Sequence, residues 1–500
     1  MSRSICLTVS TLLCFFLTGR ADLSAADPVF RAGAAVADIT PQKWPVDLVG
    51  NFFPRPATKA WDSLHARALV LDNSSTKIAF VMVDSCYCSR NLFDEAKRRA
   101  AELTGIAAEQ MLMAATHTHS APRTKDRHDW KSDPDYVEHV IRGIVSAVQQ
   151  AHANRIQAEI GIGTAQLPEE VFNRRWFMKP VAGAMPPDPF GETTDQVRMN
   201  PPRGRDVLDR PAGPTDPEIC FLTVRTPQGR PLALLANYSL HYVGGVPGGG
   251  VSSDYFGEFA QQIEMRLFPA PGRGPQADVS GPREEPLRDT LPPFVGILSN
   301  GTSGDINNIN FLEPRPRAKP FERIRIVASR VADRVSGALE QVEYQSWVPL
   351  GMAQSEMTLA VRRPTEFQLA QSRKILAEKD DSRLPHRFSK TYAGWAVELH
   401  EHAGTEDIIV QAIRIGDLGV VSIPCETFVE IGLRLKQDSP FKSTFTIELA
   451  NGHYGYLPTP RQHRLGGYET WLGSGSLEEE AAVKIEDELL KMLRSLQDEQ

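Results

Sequence analysis

A pair of histidines separated by one residue is the sharpest chemical feature of this sequence. His117 and His119 stand at the end of an apolar, strand-like segment, residues 111–116. Alternate side chains of a strand point to the same face, so both imidazoles would address one site. Strand ends are also where α/β proteins commonly place their chemistry. The pair predicts a metal or proton-transfer site, although two structural histidines would give the same pattern.

Other apolar segments also end in side chains that can bind a metal. His241 follows a run ending at residue 240, and Glu426 follows a run at 420–425. Tyr454 and Tyr456 lie close together further along the chain. Imidazole nitrogens and carboxylate oxygens are ligands that zinc prefers. Each residue taken alone is more often structural, but together they offer a zinc ligand set drawn from separate strand ends.

A second pair of histidines, His400 and His402, has a different setting. It lies in a charged stretch that runs into a turn-like sequence at 403–405. No other ligand candidate can be tied to it. We therefore expect this pair to lie at the surface or at a strand end.

Charge argues against one kind of partner, and cysteine usage argues against one kind of metal site. The net charge is −7 with both signs dispersed, which argues against nucleic acid as a partner. No Cys-x-x-Cys pair occurs, so a zinc site made of cysteines is not expected. The cysteines beyond the first few residues would allow up to two disulfides in an oxidising compartment, and they are Cys86, Cys88, Cys220 and Cys425.

The start of the chain resembles a secretory signal peptide. Arg3 precedes an apolar run at 5–17, and small residues follow at 24–26. The run is shorter than the roughly 20 residues that span a bilayer. We expect residues 1–26 to be removed and the protein to be exported, to a periplasm or the medium; an uncleaved anchor is the alternative. No later segment is long and apolar enough to suggest a membrane span in the mature chain.

The remaining pattern alternates strand-like and helical segments, which favours an α/β class. We expect one large domain, residues 27–500, of mixed β-sheets with flanking helices. Two segments rich in proline and glycine, 180–217 and 269–293, interrupt it as functional loops or insertions. The predicted strands are 68–71, 78–83, 111–116, 219–224, 232–238, 294–298, 408–415 and 419–423, and the predicted helices are 91–103, 136–151 and 477 to about 496.

Short motifs recur in a fixed order along most of the chain. They are AGAAVADITP at 32–41, LHARALV at 64–70, HTHS at 117–120, the segment from 216 to 241, SGDI at 303–306, PCET at 424–427 and GYLPT at 455–459. In order and spacing these motifs resemble the neutral (non-lysosomal) ceramidase family. On that resemblance the chain corresponds to the family's catalytic N-terminal domain, without the C-terminal immunoglobulin-like domain of its larger members.

The resemblance implies one zinc ion and names its ligands. Tyr456 is preferred to Tyr454 because its spacing from Asn451 matches the family. His119 would handle a proton or the scissile carbonyl, and Arg174, after Asn173, would contact the polar part of the substrate. The implied ligands are His117, His241, Glu426 and Tyr456.

The function expected from this set is hydrolysis of an N-acyl (amide) bond. Zinc lowers the pKa of bound water from near 16 to roughly 7, which supplies the nucleophile at neutral pH. The substrate would be a small molecule or a lipid with an N-acyl bond. A zinc hydrolase of another soluble amide or ester stays open, as does a non-catalytic zinc-containing binding protein. A TIM-barrel metal hydrolase is disfavoured, since its histidine pair usually lies on the first strand.

One position departs from the family pattern. Asn307 occupies the place of a serine that contributes to the family's active site. Asparagine has no hydroxyl, so a serine nucleophile is excluded there. We expect Asn307 to donate a hydrogen bond to the substrate; the alternative is that this loop merely turns.

Overall fold

Three β-sheets form the framework that positions the candidate site. The computed structural model describes residues 28–50, 52–53, 55–126, 130–268, 292–314, 318–402 and 404–498. The proposed signal peptide lies outside these residues, as does most of the second segment rich in proline and glycine. In the described part of the chain no helix is both long and apolar enough to cross a bilayer.

The N-terminal sheet has five strands. Its parallel pair is Lys77–Val83 beside Met111–Ala115, and its other neighbours run antiparallel. The apolar strands bury both faces, as expected for a sheet covered by helices on one side and by other strands on the other. The spatial order is Met111–Ala115, Lys77–Val83, His65–Asp72, Arg31–Asp38 and Ile156–Gln157.

The central sheet also has five strands and one parallel pair. The pair is Pro231–Tyr238 beside Val295–Asn300, and both strands are apolar because they are covered on both faces. The order is Val295–Asn300, Pro231–Tyr238, Glu218–Arg225, Glu159–Gln166 and Tyr344–Gln345.

The C-terminal sheet has four strands. Leu418–Ile423 runs parallel to Ser443–Glu448, and a long antiparallel hairpin-like pair completes the sheet. The order is Leu350–Ala360, Thr405–Ile415, Leu418–Ile423 and Ser443–Glu448.

The three sheets share one hydrophobic core. Side chains from each sheet pack into it, for example Phe80, Leu235 and Phe445, all fully buried. The helices lie on the outer faces. Arg90–Thr104 and Pro134–Ala153 cover the N-terminal sheet, Asp254–Leu267 and Glu322–Ala338 the central sheet, and Ala481–Asp498 the C-terminal sheet. The remaining helices are Glu366–Ala377, Ser389–Glu401, Val429–Asp438 and Pro460–Leu465.

Short strand pairs lie between the large sheets. Phe172–Asn173 pairs with Ile306–Asn307, and Glu426–Thr427 runs parallel to Tyr456–Leu457. A three-stranded unit joins Arg175–Met178 to Val197–Met199 and Leu208–Pro211. Two further pairs join Val46–Leu48 to Arg55–Ala57 and Lys59–Ala60 to Gly250–Val251.

The observed architecture confirms the predicted α/β class and the predicted strands and helices, with shifts at their ends. The last helix begins at Ala481, four residues after the predicted start. Segment 180–217, for which composition predicts a loop, contributes two short strands. The four cysteines beyond the first residues are all buried and free, so no disulfide joins them.

Candidate metal centre and its cavity

Each of the three sheets delivers one side chain to a common centre. The carboxyl ends of the strands in a parallel pair lie at one edge of their sheet, where α/β proteins place their chemistry. The ligand atoms of the three side chains lie within 4.8 Å of one another. His117 follows Met111–Ala115, His241 follows Pro231–Tyr238 and Glu426 follows Leu418–Ile423.

His117 reaches the centre through a turn rather than along a strand. The strand ends at Ala115, and His117 has a φ of +77°, in the left-handed region that non-glycine residues rarely adopt. Its backbone N–H donates to the Ser85 carbonyl at 2.8 Å. The expectation that strand alternation aligns the two histidines is therefore wrong in its geometry. Their rings still meet, with 3.2 Å between the Nε2 atoms of His117 and His119.

Backbone carbonyls orient two imidazoles so that the same atom of each faces the centre. His117 Nδ1 lies 2.7 Å from the Cys86 carbonyl oxygen, and His241 Nδ1 lies 3.1 Å from that of Ser303. A carbonyl only accepts, so these contacts place the proton on Nδ1 in both rings. The two Nε2 atoms, 2.9 Å apart, are left as lone-pair donors. Metal-binding histidines are oriented in the same way, by a hydrogen-bond acceptor on the other ring nitrogen.

Glu426 adds a third acceptor at the same point. Its Oε2 lies 3.4 Å from Nε2 of His117 and 3.8 Å from Nε2 of His241. That oxygen is buried and has no hydrogen-bond partner among the described residues. A buried carboxylate oxygen that has no partner in the described structure and converges with two imidazole Nε2 atoms fits a bound cation, and the nitrogen and oxygen donor set is one that zinc accepts.

The charge states of the trio follow from burial and mutual contact. Burial raises the pKa of Glu426, but His117 and His241 outweigh it and hold that pKa well below its usual range. Burial lowers the pKa of His241, and the neighbouring His117 and Arg174 lower it further. Burial also lowers the pKa of His117, but Cys86 and Glu426 reverse this and raise it. The metal-free site thus holds an ionised Glu426 beside a His117 that favours the protonated form and a His241 that favours the neutral form.

Tyr456 lies beside the trio. Its short strand runs parallel to that of Glu426, with these two residues in register. Its ring lines the same cavity, of about 80 Å³, as His117, His119 and Glu426. Burial and Glu426 raise the pKa of Tyr456, while Arg174 beside its ring opposes this. Tyr456 therefore shares the small cavity with the trio and lies in register beside Glu426.

His119 is held flat against Tyr242, with ring centroids 3.7 Å apart. Gly50 allows this approach, because a Cβ at that residue would lie 2.5 Å from the imidazole. Burial lowers the pKa of His119, and His117 and Arg174 lower it further. The imidazole is therefore neutral and can accept a proton.

Arg174 brings a buried positive charge to the centre. Its Nε donates to Glu469 Oε1 at 2.9 Å, and its Nη1 lies 3.4 Å from His241 Nε2. Its Nη2 is buried without a hydrogen-bond partner in the described structure. One guanidinium N–H edge is therefore available for a ligand. The neighbouring Asn173 is instead structural, since its amide donates to Asp305 at 2.7 Å.

Asn307 is engaged locally. Its side-chain Nδ2 donates to Asn200 Oδ1 at 2.8 Å, and its Oδ1 accepts from the Ile309 backbone at 2.9 Å. It is not among the residues that line the small cavity around the trio. Asn200 lines a larger neighbouring cavity, so Asn307 supports the wall of that cavity.

The second histidine pair lies away from this centre. His400 is in the last turn of Ser389–Glu401, and His402 caps that helix and pairs with Glu406 at 3.1 Å. The pair is partly to fully exposed. This pair therefore lies at the surface, at the end of a helix.

Sequence reasoning missed several residues that support the centre. His453 Nε2 lies 3.4 Å from Glu426 Oε1, and its ring stacks on Tyr87. Ser303 Oγ lies 3.3 Å from His241 Nδ1 and donates to Glu448 at 2.7 Å. Ser303 follows Val295–Asn300, the second strand of one parallel pair, and Glu448 ends Ser443–Glu448, the second strand of another. Their position at strand exits was the signal that could have found them.

The small cavity lined by His117, His119 and Glu426 opens beside a larger one. A cavity of about 550 Å³ shares Gly50, Phe52 and Tyr468 with the small cavity around the trio. A molecule bound at the centre can therefore extend into the larger space.

Known proteins resemble this chain over most of its length. Residues 30–178 match the family described as neutral/alkaline non-lysosomal ceramidase, N-terminal. The neutral ceramidase of Mycobacterium tuberculosis is 22% identical over 488 residues, covering 88% of this chain and 73% of that relative.

Two solved structures share the fold. A neutral ceramidase from Pseudomonas aeruginosa superposes with a TM-score of 0.65 at 16% identity, over 94% of this chain and 75% of that one. A ceramidase complexed with C2 gives a TM-score of 0.67 at 15% identity, over 94% and 76%. The resemblance predicted from the ordered motifs is confirmed.

Proposed function

Because the chain resembles the neutral/alkaline non-lysosomal ceramidases, we propose that it is a zinc-dependent hydrolase of N-acyl (amide) bonds, of the ceramidase type. The observation that carries this proposal is the convergence of two imidazole Nε2 atoms and one unpartnered carboxylate oxygen. The residues proposed to hold the zinc are His117, His241 and Glu426, with Tyr456 as the fourth.

The metal supplies one kind of chemistry. Bound zinc lowers the pKa of water at the site to about 7 and polarises a carbonyl oxygen. The protein's part is to direct the Nε2 atoms of both histidines at the site, where a metal would take the place of a proton on His117. The carbonyls of Cys86 and Ser303 do this by holding the Nδ1 protons of the two histidines.

Arg174 is proposed to bind the carbonyl oxygen of the substrate as charge develops on it. Its guanidinium stays ionised at every relevant pH. Its buried Nη2 has no acceptor within the described residues, and Glu469 holds its Nε. A preorganised donor of this kind stabilises an oxyanion in the transition state.

His119 is proposed to transfer the proton. Its pKa is lowered by burial and by His117, so at neutral pH its Nε2 can accept a proton from the attacking water. Cleavage of the C–N bond requires that the leaving nitrogen receive a proton, which His119 returns. Water thus adds to the acyl carbon, the C–N bond breaks, and a carboxylic acid and an amine leave. Stacking on Tyr242 fixes the ring for this exchange.

Asn307 has a smaller proposed part. Its side-chain amide donates one hydrogen bond to Asn200, which lines the larger cavity, and its second amide hydrogen is proposed to donate to the substrate. Because asparagine carries no hydroxyl, the mechanism contains no nucleophile from residue 307.

Export is part of the proposal. Residues 1–26 have the charged, apolar and small-residue order of a signal peptide. N-terminal sequencing of the protein from an exporting host tests this directly. A mature chain starting near residue 27 supports export, and an intact Met1 in the cytosolic fraction contradicts it.

The activity is tested by fatty-acid release from a short-chain ceramide. We expect release by the zinc-loaded wild type, loss with a chelator, and loss in His117→Ala. The matched control is His402→Ala, which removes a partly exposed imidazole of the second pair and should hydrolyse normally. Full activity of His117→Ala together with full zinc content would rule out the proposed centre.

A further inference from the structure

The larger cavity beside the metal centre carries an excess of positive charge. Three arginines line it, Arg55, Arg198 and Arg387, against one carboxylate, Asp195. Burial and Arg387 lower the pKa of His386, which also lines the cavity, so this imidazole adds no charge at neutral pH.

The arginines have no carboxylate partner. Arg55 Nη2 donates to the His119 carbonyl at 3.0 Å, and Arg198 Nη1 donates to the Ala184 carbonyl at 2.7 Å. Arg387 lies over the Phe388 ring at 4.5 Å. Within the part of the chain that the structure describes, none of the three forms an ion pair. A carbonyl or a ring leaves most guanidinium N–H groups free to bind an oxyanion.

The single carboxylate is occupied elsewhere. Asp195 accepts from the indole Nε1 of Trp471 at 2.8 Å and from the backbone of Gly467. Arg198 is half-buried, while Arg55 and Arg387 lie at the rim. The positive groups therefore surround the space that a bound molecule would enter.

The same cavity has an aromatic wall. Phe52 and Phe388 stack with centroids 3.8 Å apart, and Tyr468 and Trp471 lie close by. The aromatic wall suits an apolar acyl chain. The guanidinium groups in the same cavity are a poor surface for an acyl chain. Covering an unpaired cation with hydrocarbon alone removes its hydration without replacing it, which is costly.

We propose that the substrate is an N-acyl amide that also carries an oxyanion, such as a carboxylate, sulfate or phosphate, which Arg198 and Arg387 bind. This inference rests on the proposed amide hydrolysis at the metal centre. Guanidinium groups bind such oxyanions in a two-pronged geometry that neutral head groups cannot use. Arg55, which also holds the backbone of His119, places one of the positive charges directly beside the centre.

The test compares matched anionic and neutral amides. N-Lauroylglycine is paired with N-lauroylethanolamine, and N-lauroyl-6-aminohexanoate with N-lauroyl-6-aminohexanol, so that two distances from the amide are covered. We expect the anionic member of at least one pair to have the higher kcat/KM. In the double variant Arg198→Gln/Arg387→Gln, that preference should fall about tenfold or more, mainly through KM, as loss of charged hydrogen bonds predicts.

A matched control and a binding measurement separate the possible failures. Arg142→Gln removes an exposed arginine on Pro134–Ala153 and should leave the preference unchanged. Equal hydrolysis of both members in each pair, unaffected by the double variant, would overturn this inference while the proposed function stands. Calorimetric binding of the anionic amides to the zinc-loaded protein, weakened by the double variant but without turnover, would support the ligand class and refute the hydrolase.

Discussion

Glu469 fixes Arg174 in place beside the candidate metal centre, with 2.9 Å between its Oε1 and the arginine Nε. The other oxygen of the same carboxylate lies 2.7 Å from Nη1 of Arg175. The carboxylate is fully buried, as is the guanidinium of Arg175. One carboxylate thus bridges two buried guanidiniums, and Nη2 of Arg174 is left without a hydrogen-bond partner among the described residues.

Loss of the Glu469 charge should destabilise the protein. Glu469→Gln leaves buried guanidiniums without a counter-charge, so we expect a loss of about 3–5 kcal/mol in the free energy of unfolding. Urea titration measures it. The control is Glu102→Gln, which breaks an exposed pair with Arg98 and should cost less than about 1 kcal/mol. Equal stability of the two variants would contradict this role of Glu469.

Replacement of Arg174 should affect the chemical step. Arg174→Lys keeps the positive charge but loses the planar guanidinium. A lysine ammonium cannot both bind Glu469 and present a second N–H group at the position of Nη2. We expect kcat to fall by about 10²–10³-fold, as for loss of one oxyanion donor, with a small change in KM. Steady-state kinetics measures this, and Arg142→Lys is the exposed control. A change confined to KM would show that Arg174 only binds substrate.

Loss of His453 should weaken metal binding. Its Nε2 contacts the Oε1 of Glu426, so His453→Ala leaves that carboxylate less firmly oriented. Outer partners of this kind typically change metal affinity by about 10–100-fold. Competition with a zinc chelator measures the affinity, and excess zinc should restore activity. His402→Ala should bind zinc like the wild type; an unchanged affinity in His453→Ala as well would refute the prediction.

Stability of the metal-free protein should fall as the pH rises towards 8. Burial raises the pKa of Glu448 to about 8, with the charge on His117 and the Ser303 and Thr427 hydrogen bonds only partly opposing it. The ordinary value is 4.5, so the folded state holds this proton more tightly than the unfolded state. The stabilisation is full below about pH 4.5 and is lost progressively up to about pH 8.

The variant Glu448→Gln isolates this effect. Glutamine resembles the protonated acid and can keep both the Ser303 and the Thr427 contacts. Burial also raises the pKa of Asp305, to about 6, but this group titrates in both proteins and cancels in the comparison. Between pH 5 and 8 the Tm of the wild type should fall relative to that of Glu448→Gln. Parallel pH profiles of the two proteins would contradict the assignment.

The sequence predicted the framework because apolar periodicity determines it. The strands before His117, His241 and Glu426 are continuous apolar runs, since each is covered on both faces. The ends of these strands could therefore be predicted from the sequence, and so could the polar residues that follow them. The motifs resembling a known family then assigned these residues to one site.

The supporting contacts could not be predicted in the same way. Glu469 meets Arg174 across 295 residues of sequence, and no local pattern encodes such a pairing. The left-handed backbone of His117 depends on the Ser85 carbonyl from the neighbouring strand exit. The arginine-lined cavity draws Arg198 from a segment that composition alone described as a loop.

The most direct test of the central claim is the rate of fatty-acid release as zinc is added back to chelator-treated protein. Short-chain ceramide and N-lauroylglycine are both present, so that hydrolysis of either a neutral or an anionic amide is detected. The account predicts no release without metal, a linear rise with added zinc and a break at one equivalent per chain, absent in His117→Ala. Release that is independent of zinc, or the same titration in His117→Ala, would contradict it.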